Sequence, residues 1–257
     1  MKIHATAVVD PGARIAEDVE IGPYAVIGDG VKIGRGTVIG PHTVVDGDTE
    51  VGADCRISPF CTLGTPPQDL KYGGESTRVR IGDRNVIREY CTIHRGTVKG
   101  GGETAVGSDN YLMAYVHIAH DCRIGNHVIM ANAATLGGHI SVDDYAVLGG
   151  LVGIHQFVRI GAYAMIGACS AVSQDVPPYL SAVGNRARLY GLNTVGLKRH
   201  GFDAERLRAL KRAYHLLFRS GLGVKEAVEK VRKQMGDSKD VNRLVEFILQ
   251  SKRGICR

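Results

Sequence analysis

The stretch VEIGPYAVIGDGVKIGRGTVIGPHTVV, Val19 to Val45, places an aliphatic residue at every sixth position: Ile21, Ile27, Ile33, Ile39 and Val45. Working outward, Ile3, Val9 and Ile15 precede it in phase, and Val51, Ile57 and Leu63 follow. After an interruption, Ile81, Ile87 and Ile93 keep the phase. A second break, Lys99 to Thr104, shifts it by one residue, and Val106, Leu112, Ile118, Ile124, Met130, Leu136, Val142, Leu148, Ile154, Ile160, Ile166 and Val172 carry it on. Four residues after each aliphatic stands a small or β-branched residue, such as Ala25, Val31, Thr37, Thr43, Val116, Ala134 or Ala146. Two inward positions per hexapeptide describe one short strand and a turn. Three such edges close a triangular coil, and coils stack at the strand spacing of about 4.8 Å. The fold expected is a parallel β-helix. A Gly often follows the aliphatic (Gly22, Gly28, Gly34, Gly40, Gly125, Gly161), where the missing Cβ is expected to ease the corner.

Composition agrees with a tightly wound repeat. Trp is absent, aromatics are 6% and Gly reaches 34, so the core is built from small and β-branched aliphatics. No window approaches the roughly 18 uninterrupted apolar residues of a membrane span, and Met1 to Asp10 has no apolar run behind a basic start, so a soluble, cytoplasmic protein is expected. Of the six Cys, Cys55, Cys61, Cys91 and Cys122 fall on the small inward position, where a thiol acts as a compact hydrophobe. Asn85 and Asn110 share that position on adjacent coils, and an amide ladder is expected. Residues 1–186 carry about −4 (15 basic, 19 acidic) and residues 187–257 about +10 (17 basic, 7 acidic). A local acidic partner is implied; nucleic acid and a membrane-embedded site are not expected.

Past Pro177-Pro178 the repeat stops. Residues 191–200, 203–219, 223–235 and 239–251 have helical spacing, with Asp203 an expected N-cap and Glu205 in the first turn. The chain thus divides into a β-helix, 1–186, with loops at 64–80 and 98–104, and a small C-terminal helical domain, 187–257, which is expected to cover one open end of the coil.

The two loops point to function, since a purely structural coil has no reason to extrude residues. Gln68, Asp69 and Lys71 lie on the first. His94, His117, His120, His139 and His155 all take outward positions in the later coils. Winding puts His94, Ala119, Gly137 and His155 in one column and His120, Gly138 and Gln156 in the next. One outward histidine is most often a surface residue; five on one face are not. His120 suits a general base at neutral pH, Asp121 is placed to orient it, and Gly138 presents an unobstructed N–H about 5 Å away, one coil spacing. A base and an oxyanion donor are the minimum for acyl transfer to a hydroxyl. Zinc is weighed and set aside, because metal-binding hexapeptide β-helices resemble a different spacing, with two His five residues apart, which these candidates lack. No metal or nucleotide redox cofactor is indicated.

The strings QDLKYGGE (from Gln68), IGDRN (Ile81), TIHRGTV (Thr92), GSDNYLM (Gly107), HIAHDC (His117), HQF (His155), QDVPPY (Gln174) and GLKRHGF (Gly196), in order with the loop and helical tail, resemble the UDP-N-acetylglucosamine O-acyltransferase family of the hexapeptide-repeat superfamily. The resemblance covers essentially the whole length. It implies a left-handed coil, which spacing alone does not give and which ordinary crossover rules oppose. It implies a homotrimer with sites between subunits, and transfer of a 3-hydroxyacyl chain from acyl carrier protein to the 3-hydroxyl of UDP-N-acetylglucosamine, the first step of lipid A synthesis. By the same resemblance His120 removes the hydroxyl proton, Asp121 supports it and the Gly138 N–H holds the oxyanion. Gln68, Asp69, Lys71, His94, His117, His139, His155, Gln156, Asn193 and Arg199 match positions that hold sugar, acyl amide or phosphate, and Ala168 matches a position that limits acyl length. Family members often carry an acidic residue in place of Val195 and an Arg in place of His200, which puts nucleotide contacts by Arg199 in doubt. The basic tail (Arg206, Arg208, Lys211, Arg212, Arg219) suits an acidic carrier protein, or is simply a solvated face. Two rivals remain: an N-acyltransferase acting on a UDP-3-amino sugar, and a non-catalytic β-helical binding module.

Overall fold

A computed structural model describes residues 1–257. Three sheets, of eleven, nine and eight strands, form the faces of a prism, and successive strands of the chain visit them in turn. Partners are 18 residues apart, as in Ile21↔Ile39, Ile27↔Val45 and Ile33↔Val51, so the hexapeptide period is the coil. The loops do not disturb the stacking: Ile57 pairs with Ile87 across the first, and Ile93 with Ile118 across the second. The architecture is a left-handed parallel β-helix followed by a small helical region. Its core is the two inward columns. Ile27, Ile39, Leu63, Ile87, Ile118 and Leu136 are fully buried, each stabilising by roughly 1.5–3 kcal/mol.

The glycines after the aliphatics ease the corner by lacking a Cβ, as expected, because the next coil approaches there: a Cβ at Gly40 would come 2.7 Å from Pro59 N, and one at Gly34 2.7 Å from Gly52 C. The left-handed backbone falls two residues later, on eighteen non-glycine residues with φ between 53° and 70°, among them Asp121 and His139. Asn85 and Asn110 do not form an amide-to-amide ladder. Asn85 Oδ1 accepts from Asn110 N, and Asn110 Oδ1 from Val128 N, while Asn85 Nδ2 donates to Gly82 and Gly107 carbonyls. Side chains at this inward position serve the next coil's corner. Thr37 and Thr43 hydroxyls donate to Gly52 and Ser58 carbonyls, and the thiols of Cys55, Cys61, Cys91 and Cys122 reach Gly82, Arg88, Met113 and Gly137 carbonyls at 3.0–3.1 Å. None of the six cysteines is in a disulfide.

The first sheet ends in a hairpin, Leu180–Val183 against Arg188–Leu192, so strand structure continues beyond residue 186 and into the start of the segment read as helical. Helices then follow: α1 (Thr194–Arg199), α2 (Ala204–Phe218), α3 (Val224–Met235) and α4 (Lys239–Leu249). Asn193, Asp203 and Ser238 cap α1, α2 and α4 through side-chain oxygens that accept from Gly196, Arg206 and Val241 amides. The helices grip the flank of the last coils. Arg243 pairs with Asp143 at 3.6 Å, Arg159 lies 4.3 Å over the Phe247 ring, and Phe202 packs edge-on to Tyr163. The tail returns to the coil at buried Asp175, which accepts from Arg159 N, Ser251 Oγ and Cys256 N.

Candidate active site

The second sheet presents Thr92, His117, Thr135, Gly153 and Ala171 outward, in register from coil to coil. Bulk falls from His117 through Thr135 to Gly153, and beside these positions lies an open groove of about 1000 Å³. Gln68, His117, His120, Gly138, His155 and Gln156 line it, as do Ser173, Asn185, Arg186 and Arg253. The sequence therefore brings six of its candidates into one groove. Asp121 and His139 lie immediately behind His120. Asp69 and Lys71 stand beside the groove on the loop, where Asp69 Oδ1 accepts from Lys71 N and Leu70 is fully exposed between them.

The centre is His120. Its Nδ1 lies 2.8 Å from Asp121 Oδ2, and that carboxylate is wholly buried. A carboxylate only accepts, so Nδ1 donates, and in the neutral ring Nε2 is the nitrogen that keeps its lone pair. Nε2 points at Gly138: a Cβ there would stand 2.5 Å from His120 Cε1 and 2.7 Å from Nε2. The Gly138 carbonyl accepts from Phe157 N at 3.0 Å, whereas its N–H makes no hydrogen bond within the protein. A ring nitrogen and a backbone donor without a protein partner thus belong to neighbouring residues that line the same groove.

Asp121 sits at the left-handed residue of its corner, φ 60°, a conformation that Asp tolerates better than bulkier side chains. It is held by residues that sequence reasoning missed. Thr97 N and Thr97 Oγ1 donate to Asp121 Oδ1 and Oδ2 at 2.9 and 2.7 Å, and Asp121 N donates to Thr104 Oγ1 at 2.8 Å. A Cβ at Gly100 would overlap the Asp121 carboxylate. Thr97 stands three residues after the end of the strand Thr92–His94, and the only local signal was its place at the edge of the second break.

Burial tunes the flanking histidines. His94 is 6% exposed, its ring edge-on to His117 at 5.1 Å and its Nδ1 without a partner. Desolvation, reinforced by the neighbouring imidazoles, pushes its pKa down to about 4. The same cause, burial first, lowers His117, whose Nδ1 is 2.7 Å from Thr92 Oγ1. His139, stacked 4.5 Å from Phe157, is also lowered by burial, against the opposing pull of Asp121 and, more weakly, Asp69. Neutral His94 and His117 next to the groove are suited to hydrogen-bond uncharged amide and hydroxyl groups.

His120, Asp121 and His139 bring three potential ligand atoms within 4.8 Å of one another. The donor set does not fit a metal well. Both carboxylate oxygens are engaged by Thr97 and His120, and a cation would have to displace those bonds.

Asn193, Arg199 and Ala168 do not line the groove of this chain. Asn193 caps α1 and donates to Tyr163 O, Arg199 is in the last turn of α1, and Ala168 is an exposed residue of the corner between the first and second sheets. His200 packs edge-on to Tyr145 and Tyr163, so at this departure the side chain has a structural occupation. In the basic tail, Arg206 is committed to Asp240 at 2.7 Å and Arg219 lies over Tyr214. Arg208, Lys211, Arg212 and His215 gather around one depression without a carboxylate among them.

Comparison with known proteins places this geometry. The family model for UDP-N-acetylglucosamine O-acyltransferase, domain 2, matches residues 175–256, and the bacterial transferase hexapeptide model matches 1–35, 30–65 and 103–138. An acyl-[acyl-carrier-protein]–UDP-N-acetylglucosamine O-acyltransferase from Thermodesulfovibrio yellowstonii is 59% identical over 100% of this chain and 99% of its own. The chain belongs to this acyltransferase family. A family member from Syntrophobacter fumaroxidans is 56% identical over the full length of both. The solved UDP-N-acetylglucosamine acyltransferase of Francisella novicida superposes with a TM-score of 0.96 at 42% identity, covering 99% of this chain and 94% of its own. That of Campylobacter jejuni gives 0.95 at 43%, covering 99% of each. No helix of this acyltransferase-family chain is long and apolar enough to cross a membrane.

Proposed function

We propose that this chain transfers a 3-hydroxyacyl group from acyl carrier protein to the 3-hydroxyl of UDP-N-acetylglucosamine, the first step of lipid A synthesis, working in the cytoplasm as a homotrimer. The relatives named above carry the reaction class. The observation that carries the mechanism is the free His120 Nε2 beside the free Gly138 N–H, with Asp121 at 2.8 Å behind the ring.

In this reading His120 Nε2 takes the proton of the sugar hydroxyl as its oxygen attacks the thioester carbon. The carbonyl electrons move to oxygen, and the Gly138 N–H receives the oxyanion. When the tetrahedral carbon collapses, the C–S bond breaks and the imidazolium returns its proton to the departing thiolate. Asp121 stabilises the imidazolium between the two transfers. His94, His117, His139, His155, Gln68 and Gln156 are proposed to hold sugar and acyl amide. Asp69, Lys71, Asn193 and Arg199 are proposed to contact substrate from across a subunit boundary. Support for that boundary comes from Leu70, fully exposed on the loop beside the groove, a position that suits contact with a second copy. The cations Arg208, Lys211 and Arg212, none of which is in an ion pair, suit steering of an acidic carrier.

Mass spectrometry of UDP-N-acetylglucosamine incubated with 3-hydroxyacyl carrier protein tests the proposal. One acyl addition at the 3-oxygen is expected, with His120→Ala slower by about 100-fold or more. No product with the hydroxyl acceptor, but product with a UDP-3-amino sugar, would replace it by the amide-forming reaction. Full activity of His120→Ala would remove the base.

A further inference from the structure

We infer that Thr97 is a positioning residue for the acyl transfer proposed above, and that the second interruption of the repeat exists to clamp the Asp121 carboxylate onto His120. The inference rests on that reading of His120 as the base. A carboxylate on Cβ has a soft terminal torsion, so burial alone does not decide which neighbour its oxygens face. Two imidazoles compete here for the same atom: Asp121 Oδ2 is 2.8 Å from His120 Nδ1 and 3.7 Å from His139 Nδ1. Thr97 takes hold of both oxygens at once, its N–H on Oδ1 at 2.9 Å and its hydroxyl on Oδ2 at 2.7 Å. The plane of the carboxylate is thereby fixed with Oδ2 towards His120.

The direction of the Thr97 hydroxyl is fixed in turn. Gly100 N donates to Thr97 Oγ1 at 3.3 Å, leaving the hydroxyl proton for the carboxylate. Gly100 closes the short 3-10 turn Val98–Gly100 that Thr97 caps, and it must be glycine because a Cβ would overlap the Asp121 carboxylate. Thr104, where the repeat resumes, then fixes the Asp121 backbone through its hydroxyl. Both ends of the interruption therefore converge on one acidic side chain, while the ring it serves stays in the groove.

Valine keeps the shape of Thr97 and removes only the hydroxyl; serine keeps the hydroxyl and removes the methyl. For Thr97→Val we expect kcat to fall by about 10- to 100-fold, the value of one charge-assisted hydrogen bond, with both KM values within about twofold of wild type. Thr97→Ser is expected to recover kcat to within about threefold. In an Asp121→Asn background Thr97→Val is expected to have little further effect, because its partner carboxylate is gone. Unchanged kcat in Thr97→Val, a Ser variant as slow as the Val variant, or full additivity with Asp121→Asn would each overturn the inference. Absence of activity in the wild-type protein would instead defeat the reaction proposed for the site. Melting temperature and active-site titration separate both from misfolding, since a hydroxyl that matters only for folding would lower the folded fraction of Thr97→Val and leave kcat per folded enzyme unchanged, which would also overturn the inference.

Discussion

Replacing Gly138 by alanine exchanges one hydrogen for a methyl group at the point where the two halves of the proposed chemistry meet. The ideal Cβ stands 2.5 Å from His120 Cε1, 2.7 Å from Nε2 and 3.1 Å from Nδ1. Carbon atoms in ordinary contact lie about 3.5–4.0 Å apart, so the imidazole must retreat by about 1 Å. It has two ways to do so. Swinging into the groove breaks the 2.8 Å bond to Asp121, and shifting along the corner brings the ring against His139, whose centroid is already 5.0 Å away. A base misplaced by about 1 Å costs about 10²-fold in rate, or about 2.7 kcal/mol in the barrier. The Gly138 backbone has no positive φ, and the added methyl lines the groove rather than the core, so the cost to stability is confined to the disturbed His120–Asp121 bond, about 1–3 kcal/mol. The assay is steady-state acylation of UDP-N-acetylglucosamine, with melting temperature as the fold control. Gly138→Ala should lose about 100-fold in kcat while still melting as a folded protein well above the assay temperature, and it should lose almost nothing further when His120 is already alanine. A kcat within threefold of wild type would show that the imidazole does not occupy the reactive position described, and the reasoning would fail.

Stability should fall as pH drops from about 6.5 towards 4. His94, His117 and His139 have folded-state pKa values below the ordinary imidazole value, so each takes up a proton on unfolding in that window. Their contribution is fully present above pH 6.5 and lost on acidification; denaturant melts of His94→Gln should show a flatter acid limb than wild type, and a superimposable limb would contradict the burial argument. Arg208→Glu with Lys211→Glu should raise KM for acylated carrier by about tenfold at low salt, converging with wild type at high ionic strength, because screening removes the field. An effect on KM for the sugar nucleotide instead would move the carrier elsewhere. Ala168→Gly should lengthen the preferred 3-hydroxyacyl chain in a carrier series; an optimum at the same length would refute a role in acyl length.

How much of this was legible in residue order follows from the period of six. It determined the coil, its inward columns, the continuity of stacking across both loops and the gathering of His117, His120, Gly138, His155 and Gln156, since in a solenoid each residue's neighbours are set by a constant offset. The helical spacing and the Asp203 cap were likewise local and correctly readable. The hand of the coil was carried by the resemblance, because spacing is the same in either hand.

What only the tertiary structure decided lies where that offset breaks. The residues of the second interruption leave the repeat, so nothing in the period indicated that Thr97 would turn back onto Asp121 with both its amide and its hydroxyl. Arg253 reaches the groove by the return of a tail some 80 residues along the chain, with its Nε donating to Ser173 O. The role of glycine was legible only in part: a missing Cβ at the corner was expected, but the atoms that forbid a side chain at Gly34 or Gly40 belong to the backbone of the next coil, a neighbour made by winding, and the left-handed conformation falls on non-glycine residues two positions later. Periodic order encodes contacts at one fixed separation, and the chemistry of this groove also depends on contacts that the chain makes by leaving that order.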